Sequence, residues 1–179
     1  MDRPIFDVIK VATMAGVVVI EAAGNAGKNL DNVKDSRGRK VLNRGSSDLR
    51  DTGAIMVGAT TSGVPHRRFK DSNYGSRIDC FAWEENTYNT YSDSPSNTNG
   101  YYADFNCMSG ATSIVTGAAV AIQGIATAHL GHRFSPLEVR SRLTDNEVNT
   151  KSSNPSRDRI GVMPNLRGII RKRFPEAVS

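Results

Sequence analysis

The first stretch of the chain spaces its apolar residues with the period of a helix and then becomes continuously apolar. Apolar positions three and four residues apart predict a helix over residues 5–15, with Gly16 as its stop. The segment 17–23 that follows is β-branched in its first four positions, which is typical of a strand buried on both faces. A helix, a glycine and a buried strand in this order favour a parallel sheet of the α/β class.

Two more short apolar runs, with polar segments around them, extend this pattern. Strands are predicted at 54–59 and 78–83, and loops at 26–52, 61–76, 84–100 and 146–159. Within the first of these loops, only Val41 and Leu42 suggest a short strand. A loop as long as 26–52 in a compact domain is usually functional or an insertion.

The second half of the chain predicts three helices. The segment 109–129 is rich in small and apolar residues, and no charged residue occurs between Asp104 and Arg133, so this helix is expected to be buried all round. A capping box of serine, proline and glutamate starts a short helix at 135–145. A last helix is predicted from residue 164, and the cations near its C-terminal end complement the helix dipole.

Composition narrows the classes of protein that fit this pattern. The chain has 179 residues, with 23 Lys and Arg against 18 Asp and Glu and a net charge of +5, which suits one domain with a core of its own. The basic residues are scattered and few aromatic residues alternate with them. No apolar run approaches the ~18 residues that span a bilayer, and the N-terminus lacks the layout of a secretory signal. We therefore expect neither nucleic acid nor a membrane as a partner.

The end of the first predicted strand carries a side-chain amide. Ala22, Ala23, Gly24 and Asn25 close the apolar run, and ligand sites of open α/β sheets lie at the carboxyl ends of strands. The Asn25 amide is therefore a candidate donor of a hydrogen bond into a crevice. The alternative is that Asn25 only adopts a turn conformation, which asparagine favours.

A serine stands at the start of the charge-free helix. The first turn of a helix presents unpaired backbone N–H groups and a partial positive charge, which stabilise an oxyanion that forms beside Ser109. The alternative is that Ser109 only caps the helix, as serine often does. Taken singly, neither Asn25 nor Ser109 decides between these interpretations.

Together and in this order, the two motifs resemble the subtilisin-like serine peptidases, the subtilases. The resemblance rests on Ala-Ala-Gly-Asn at 22–25, Ile-Met-Val-Gly-Ala at 55–59, Phe-Ala-Trp at 81–83 and Ser-Gly-Ala-Thr-Ser-Ile-Val-Thr-Gly-Ala-Ala at 109–119. It runs from about Ile5 to Ile170. It implies that residues 1–179 are a partial peptidase S8 catalytic domain: the C-terminal portion of a three-layer α/β fold with a mostly parallel sheet.

The resemblance also implies roles for individual residues. Ser109 takes the place of the nucleophile and Asn25 that of the side-chain oxyanion donor, with the Ser109 backbone N–H as the second donor. Ala22, Ala23 and Gly24 would line the pocket for the substrate side chain that precedes the cleaved bond. The expected substrate is a peptide or protein. No cofactor or metal ligand is assigned, and calcium and secretion are raised by the resemblance alone.

The chain departs from the family pattern at several positions. Cys107 and Met108 stand where the family has Gly-Thr before the serine, and Glu84 stands where a glycine is common. The family order is Asp, His, then Ser. The Asp and His would precede the first residue of this chain, so an N-terminal half of the domain is the expected partner. The three histidines of the chain are expected to be surface or structural residues: His66, His129 and His132.

Three hypotheses follow from these residues. The first is a serine endopeptidase fragment with little proteolysis as an isolated chain, because a serine hydroxyl without a base is a weak nucleophile. The second is a non-catalytic peptide-binding or regulatory remnant, motivated by Cys107 and Met108. The third, a nucleotide-binding α/β domain, lacks both a G-x-G-x-x-G motif and a P-loop. Whether Cys80 and Cys107 form a disulfide or remain free thiols stays open.

Overall fold

A computed structural model describes residues 3–92, 94–96 and 100–175 of the chain. The helices in these ranges are α1 (Arg3–Met14), α2 (Met108–Leu130), α3 (Pro136–Leu143), α4 (Pro155–Asp158) and α5 (Leu166–Arg173). The strands are β1 (Ile20–Ala22), β2 (Ile55–Thr60), β3 (Cys80–Trp83), β4 (Thr87–Tyr91), β5 (Gly100–Phe105), β6 (Thr150–Lys151) and β7 (Val162–Met163).

A mostly parallel sheet forms the centre of the fold, which confirms the predicted fold class. Its strand order is β1-β2-β3-β7-β6, and all neighbouring pairs are parallel except β6 with β7. Every residue of β2 is buried, which explains the continuous apolar run in this part of the sequence. Because β1, β2 and β3 are parallel, their carboxyl ends share one edge of the sheet, and Asn25 and Glu84 follow β1 and β3 there.

The longest helix, α2, packs across β1, β2 and β3. Its buried residues Ala111, Val115 and Ile122 belong to one apolar core with Val57 of β2 and Phe81 of β3. Full burial of an aliphatic or aromatic side chain of this kind stabilises the fold by about 1.5–3 kcal/mol. This packing places the N-terminus of α2 at the same edge of the sheet as the carboxyl ends of the strands.

Two segments are less buried than their sequences predict. β1 begins at Ile20 and is half-buried or exposed, and Val120 of α2 is 66% exposed. In the described part of the chain β1 is an edge strand, so one of its sides is unpaired. Val17, Val18, Ile20 and Val120 line an apolar groove of about 840 Å³ beside α2. The prediction of full burial is wrong because it assumed neighbours that the described residues do not supply.

The expectation that no segment is suited to a membrane also needs correction. By length and composition, α2 is apolar enough to cross a bilayer. A core helix meets the same criteria, and one side of α2 lies in the core that it forms with the sheet. Packing against the sheet therefore explains why one side of α2 carries no charged residue. The described residues do not explain why its other side lacks charge as well.

The segments predicted as loops hold additional elements. The predicted loop 84–100 contains β4 and the start of β5, which pair antiparallel; residues 93 and 97–99 of it lie outside the described residues. Tyrosine pairs lie across this hairpin, with ring centroids 5.5 Å apart for Tyr88 and Tyr101 and 6.0 Å apart for Tyr91 and Tyr102. Tyrosine and threonine favour strands, and the intervening polar residues concealed this signal. The predicted loop 146–159 likewise contains β6 and α4.

Several predicted helices are confirmed. One of them, α1, exposes apolar residues that the sequence did not lead us to expect at the surface. α3 begins with the predicted capping box: the Ser135 hydroxyl accepts the Glu138 N–H, and the Glu138 carboxylate accepts the Ser135 N–H. α1 ends at the predicted glycine stop, and α5 ends with the three cations. The large apolar residues of α1 that are exposed are Ile5, Val8, Val11 and Met14.

The long loop 26–52 is organised by ion pairs and turns. Val41 and Leu42 are buried but lie in a turn, so the predicted short strand is wrong. Asp35 forms ion pairs with Arg39 at 2.7 Å and with Arg50 at 3.0 Å. Charged side chains therefore fix the path of a segment whose backbone has few strand partners.

The end of this loop is joined to α3 by a partly buried ion pair. The Asp51 carboxylate accepts two hydrogen bonds from Arg140, at 2.8 and 2.9 Å. Burial acts to raise the pKa of Asp51, but hydrogen bonds from Arg140 and the Gly53 N–H, with the charges of Arg140 and Arg77, outweigh it and lower the pKa to about 2.

We predict that Asp51 makes the stability of the fold depend on pH in the acid range. Its pKa is lower in the folded chain than the ordinary 3.8, so its contribution is present above that value and is lost as the pH falls toward 2. Urea unfolding between about pH 5 and pH 2 should show a weaker pH dependence in Asp51→Asn than in the parent chain. The exposed Asp48→Asn, on the same loop, is the matched control, and equal slopes in the two variants would contradict the prediction.

Candidate active site

The turn that carries Asn25 is held in place by Asn73. The Asn73 amide donates to the Ala23 carbonyl at 2.8 Å, and its Oδ1 accepts the Lys28 N–H at 2.8 Å. Gly24 has a φ of +96°, and a Cβ there would lie 2.8 Å from Asn73 Nδ2. Glycine is therefore required both by the backbone conformation and by the approach of the Asn73 side chain. Asn25 itself is exposed at the edge of the sheet.

Ser109 lies within the first turn of α2 and does not cap it. The N-cap position is taken by Cys107, which has extended backbone, and Ser109 is the second residue of the helix. The interpretation of Ser109 as only a cap is therefore wrong, and its side chain is exposed. The Cys107 N–H donates to the Glu84 carbonyl at 2.9 Å, which ties the start of the helix to the end of β3.

The turn that carries Asn25 lies against the start of α2, which carries Ser109. The Gly24 N–H, next to Asn25, donates to the sulfur of Met108, next to Ser109, at 3.0 Å. The Cys107 thiol donates to the Ser109 Oγ at 3.4 Å. The fold thus brings together the two motifs that the sequence separates widely.

The neighbours of Cys107 lower the pKa of its thiol. The Ser109 side chain, the Ser109 N–H and the Asn25 amide lower the pKa of the Cys107 thiol, against the opposing effects of partial burial and of the Glu84 charge. Glu84 is only 5% exposed, and burial, with the like charges of Asp71 and Glu85, raises the pKa of its carboxyl. Its Oε2 has no hydrogen-bond partner among the residues that the structure describes.

Met108 connects the two halves of the site. It is 1% exposed, and its sulfur accepts the Gly24 N–H at 3.0 Å. Of the residues predicted to line a substrate pocket, Ala22 is exposed, Gly24 is half-buried and Ala23 belongs to the core. The Met108 side chain therefore fills space directly behind the turn that presents Asn25.

The histidines have contacts typical of structural or surface residues. His66 is buried, with Nδ1 2.9 Å from the Thr61 carbonyl and its ring stacked on Trp83. The ring of His129 lies 5.9 Å from that of Phe174, and His132 Nδ1 is 3.0 Å from the Leu130 carbonyl, both at the far end of α2.

The described ranges contain two cysteines, and both are free thiols. Cys80 and Cys107 are not paired, which resolves the alternative left open by the sequence. Burial raises the pKa of the Cys80 thiol well above its ordinary value. The described residues contain no group of three acidic, histidine or cysteine side chains suited to a metal ion.

Sequence reasoning missed the role of Asn73. The residue lies in the predicted loop 61–76, and nothing in its local pattern indicates that it reaches back to the turn after β1. The one signal in the sequence is an asparagine in a loop that follows a strand. That this asparagine is buried becomes visible only in the fold.

Comparisons with known proteins identify the class of this fold as that of the subtilisin-like proteases. The peptidase S8 model, described as the subtilase family, matches residues 2–161, and the chain belongs to this family. The self-cleaved protease domain of PatA is similar in structure, with a TM-score of 0.68 and 19% identity over 96% of this chain and 56% of that chain. A search of curated proteins finds no match.

Two other solved structures give the same result. A lanthipeptide protease has a TM-score of 0.68 and 18% identity over 93% of this chain and 54% of that chain. A cold-adapted subtilisin-like serine proteinase has a TM-score of 0.64 and 22% identity over 91% of this chain and 50% of that chain. The chain thus spans about half the length of these relatives. The resemblance read from the sequence is confirmed: the chain belongs to the subtilase family and has the fold of the subtilisin-like proteases over the part that it spans.

We predict that Gly24→Ala lowers the free energy of unfolding more than Gly16→Ala does. Both glycines have positive φ, +96° and +90°, so alanine strains the backbone at either position, by about 1–2 kcal/mol. A Cβ at Gly16 meets nothing within 4 Å, whereas one at Gly24 must displace the Asn73 amide. Urea unfolding of the two variants measures the difference, and equal losses would contradict the proposed role of Asn73.

Proposed function

We propose that this chain is the nucleophile-bearing part of a serine endopeptidase domain. The observation that carries the proposal is the exposed Ser109 in the first turn of α2, beside the turn of Asn25, to which the Gly24 N–H and the Met108 sulfur join it at 3.0 Å. The reaction is hydrolysis of a peptide bond in a peptide or protein through an acyl-enzyme on Ser109.

Each of these groups has a defined task in that reaction. Ser109 Oγ attacks the carbonyl carbon while a histidine outside the described residues takes its proton, as in the general mechanism of serine peptidases. The carbonyl oxygen becomes an oxyanion and accepts hydrogen bonds from the Asn25 amide and the Ser109 N–H. Loss of an amide donor of this type in the subtilisin family costs about 10²–10³ in rate. Ala22 and Gly24 would form the wall of the substrate pocket, and Ala23 would support it from the core.

Exposed apolar surface supports the view that the domain has a further part. Among the residues that the structure describes, β1 has an unpaired edge, the groove at Val17 and Val120 is apolar, and α1 exposes large apolar residues. We infer that this part extends the sheet beyond β1, covers the groove and supplies the Asp and His of the triad. Without them the isolated chain should have little or no proteolytic activity, because the hydroxyl of Ser109 lacks a base.

We predict that a fluorophosphonate probe labels Ser109 far faster in a product extended upstream to the Asp and His motifs than in the isolated chain. The histidine of the extended product would take the serine proton, which the isolated chain cannot arrange. Mass spectrometry of labelled peptides gives the rate at Ser109. Ser109→Ala is the negative control, and Ser113→Ala, one helical turn further on, should label normally. Failure to label a folded, extended protein would reject the proposal.

A non-catalytic peptide-binding remnant is the second candidate function. It is favoured by Cys107 and Met108, since the Cys107 thiol donates to the Ser109 hydroxyl at 3.4 Å and the Met108 sulfur occupies the space behind Gly24. The double variant Cys107→Gly, Met108→Thr in the extended product separates the two candidates. Peptide hydrolysis that remains absent in the folded variant, with Asp and His present, would favour the remnant.

A further inference from the structure

We propose that a basic cavity between α1 and the loop 26–52 is a second ligand site, which takes a compact anion with two neighbouring phosphate groups. The cavity has a volume of about 660 Å³, which lies in the range of ordinary small-molecule sites. Neither Asn25 nor Ser109 lines it. The inference therefore goes beyond the proposed function and does not depend on it.

The fold gathers at this cavity basic residues that are scattered along the sequence. Among the described residues, five basic side chains line it, one from the first turn of α1 and four from the loop: Arg3, Lys34, Arg37, Arg39 and Arg50. The acidic side chains in the same lining are Asp7 and Asp35. The lining thus has an excess of three positive charges, and such a cavity attracts an anion that carries several negative charges.

One carboxylate organises the loop side of the cavity. Asp35 Oδ1 accepts the backbone N–H groups of Arg37, at 2.9 Å, and Arg39, at 3.1 Å. Asp35 Oδ2 accepts Nε and Nη2 of Arg39, at 2.9 and 2.7 Å, and Nη2 of Arg50, at 3.0 Å. The bonds from the Arg39 side chain and from the two N–H groups hold the pKa of Asp35 well below its ordinary value, so this carboxylate is charged at neutral pH. The loop side is therefore built before any ligand arrives.

Three of the cations have no partner that neutralises them. Arg3, Lys34 and Arg37 are exposed, and none of them forms an ion pair within the part of the chain that the structure describes. The ion pairs of this lining are those that Asp35 makes with other residues of the loop. Because these three side chains hold no acid, a ligand can engage them without breaking an existing contact.

The two arginines that do pair still have donors to spare. Arg39 and Arg50 share the carboxylate of Asp35, and the Nη1 group of each has no acceptor among the described residues. Asp48, which does not line the cavity, is a further acid whose charge acts on Arg39. A guanidinium has five N–H donors, so both side chains can hold Asp35 and a ligand oxygen together.

A diphosphate matches these donors better than a single anionic group does. The guanidinium fork fits the oxygens of a phosphate group in pairs. The cations belong to α1 and to separate parts of the loop, and a ligand that engages all of them needs acceptor oxygens on more than one group. Phe6 of α1, half-buried in the lining, offers an aromatic surface to an organic group attached to the diphosphate.

The first test is isothermal titration calorimetry of the chain with pyrophosphate and with ADP, in buffer stripped of divalent metal ions and at constant ionic strength. We expect saturable binding of at least one of them, about tenfold or more tighter than that of orthophosphate, because the second phosphate group adds charge-assisted hydrogen bonds. Tighter binding of ADP supports an organic diphosphate as the ligand, and tighter binding of pyrophosphate supports an inorganic one. No saturable binding of either, or equal affinity for orthophosphate, would overturn the proposal.

Single variants locate the binding at this cavity. Lys34→Ala and Arg37→Ala each remove an exposed cation and should weaken binding of the diphosphate by about tenfold. Lys40→Ala is the matched control, because Lys40 is an exposed lysine of the same loop that does not line the cavity, and it should change the affinity less than twofold. Equal losses in all three variants would indicate a general attraction of anions to basic surface and would reject the site. Urea unfolding checks that each variant is folded.

A measurement on the parent chain needs no variant. Phenylglyoxal condenses with exposed guanidinium groups, and mass spectrometry of the peptides gives the rate at each arginine. The bound diphosphate should slow modification of Arg37 and leave unchanged that of Arg171, an exposed arginine in the last turn of α5. The same rate at Arg37 with and without the diphosphate would contradict binding in this cavity.

The outcome for this site is separate from the outcome for the peptidase. Ser109 does not line the cavity, so Ser109→Ala should bind the diphosphate with the affinity of the parent chain. If Ser109 of the extended product is labelled but no diphosphate binds, the peptidase proposal stands and the second site is rejected. If the diphosphate binds but Ser109 is never labelled, the second site stands and the peptidase proposal is rejected.

Discussion

The start of α2 is held against the ends of two parallel strands, and the site depends on this junction. One connection runs from the Gly24 N–H to the sulfur of Met108, and the other from the Cys107 N–H to the Glu84 carbonyl. Because both join backbone to neighbouring segments of defined conformation, they fix the position of the first helical turn relative to the turn after β1. The segments that carry Ser109 and Asn25 come together as a consequence.

The sheet supplies the rigidity behind this junction. β2 is buried along its whole length and pairs in parallel with both β1 and β3, so the carboxyl ends of all three strands lie at the same edge of the sheet. α2 crosses these strands through Ala111 and Val115, whose burial fixes the axis of the helix. A site on such a frame can be displaced only by moving the core, whereas the side chains at its rim remain free to change rotamer.

The sequence predicted the parts of this frame that depend on local pattern. The buried run at Ile55–Thr60, the capping box at Ser135 and the apolar content of α2 each carry a periodicity or a local hydrogen bond that is readable without the fold. The family resemblance added the candidate site residues. The predicted extent and burial of β1 were wrong, because the burial of a strand depends on its neighbours and not on its own β-branched residues.

The position of Asn73 against the turn after β1 was beyond the sequence for a physical reason. Its hydrogen bonds to the Ala23 carbonyl and the Lys28 N–H join segments that are distant along the chain, and they depend on the direction of one side chain in the folded state. The hairpin of β4 and β5 was missed for a related reason, since cross-strand tyrosine pairs stabilise it only after the strands meet.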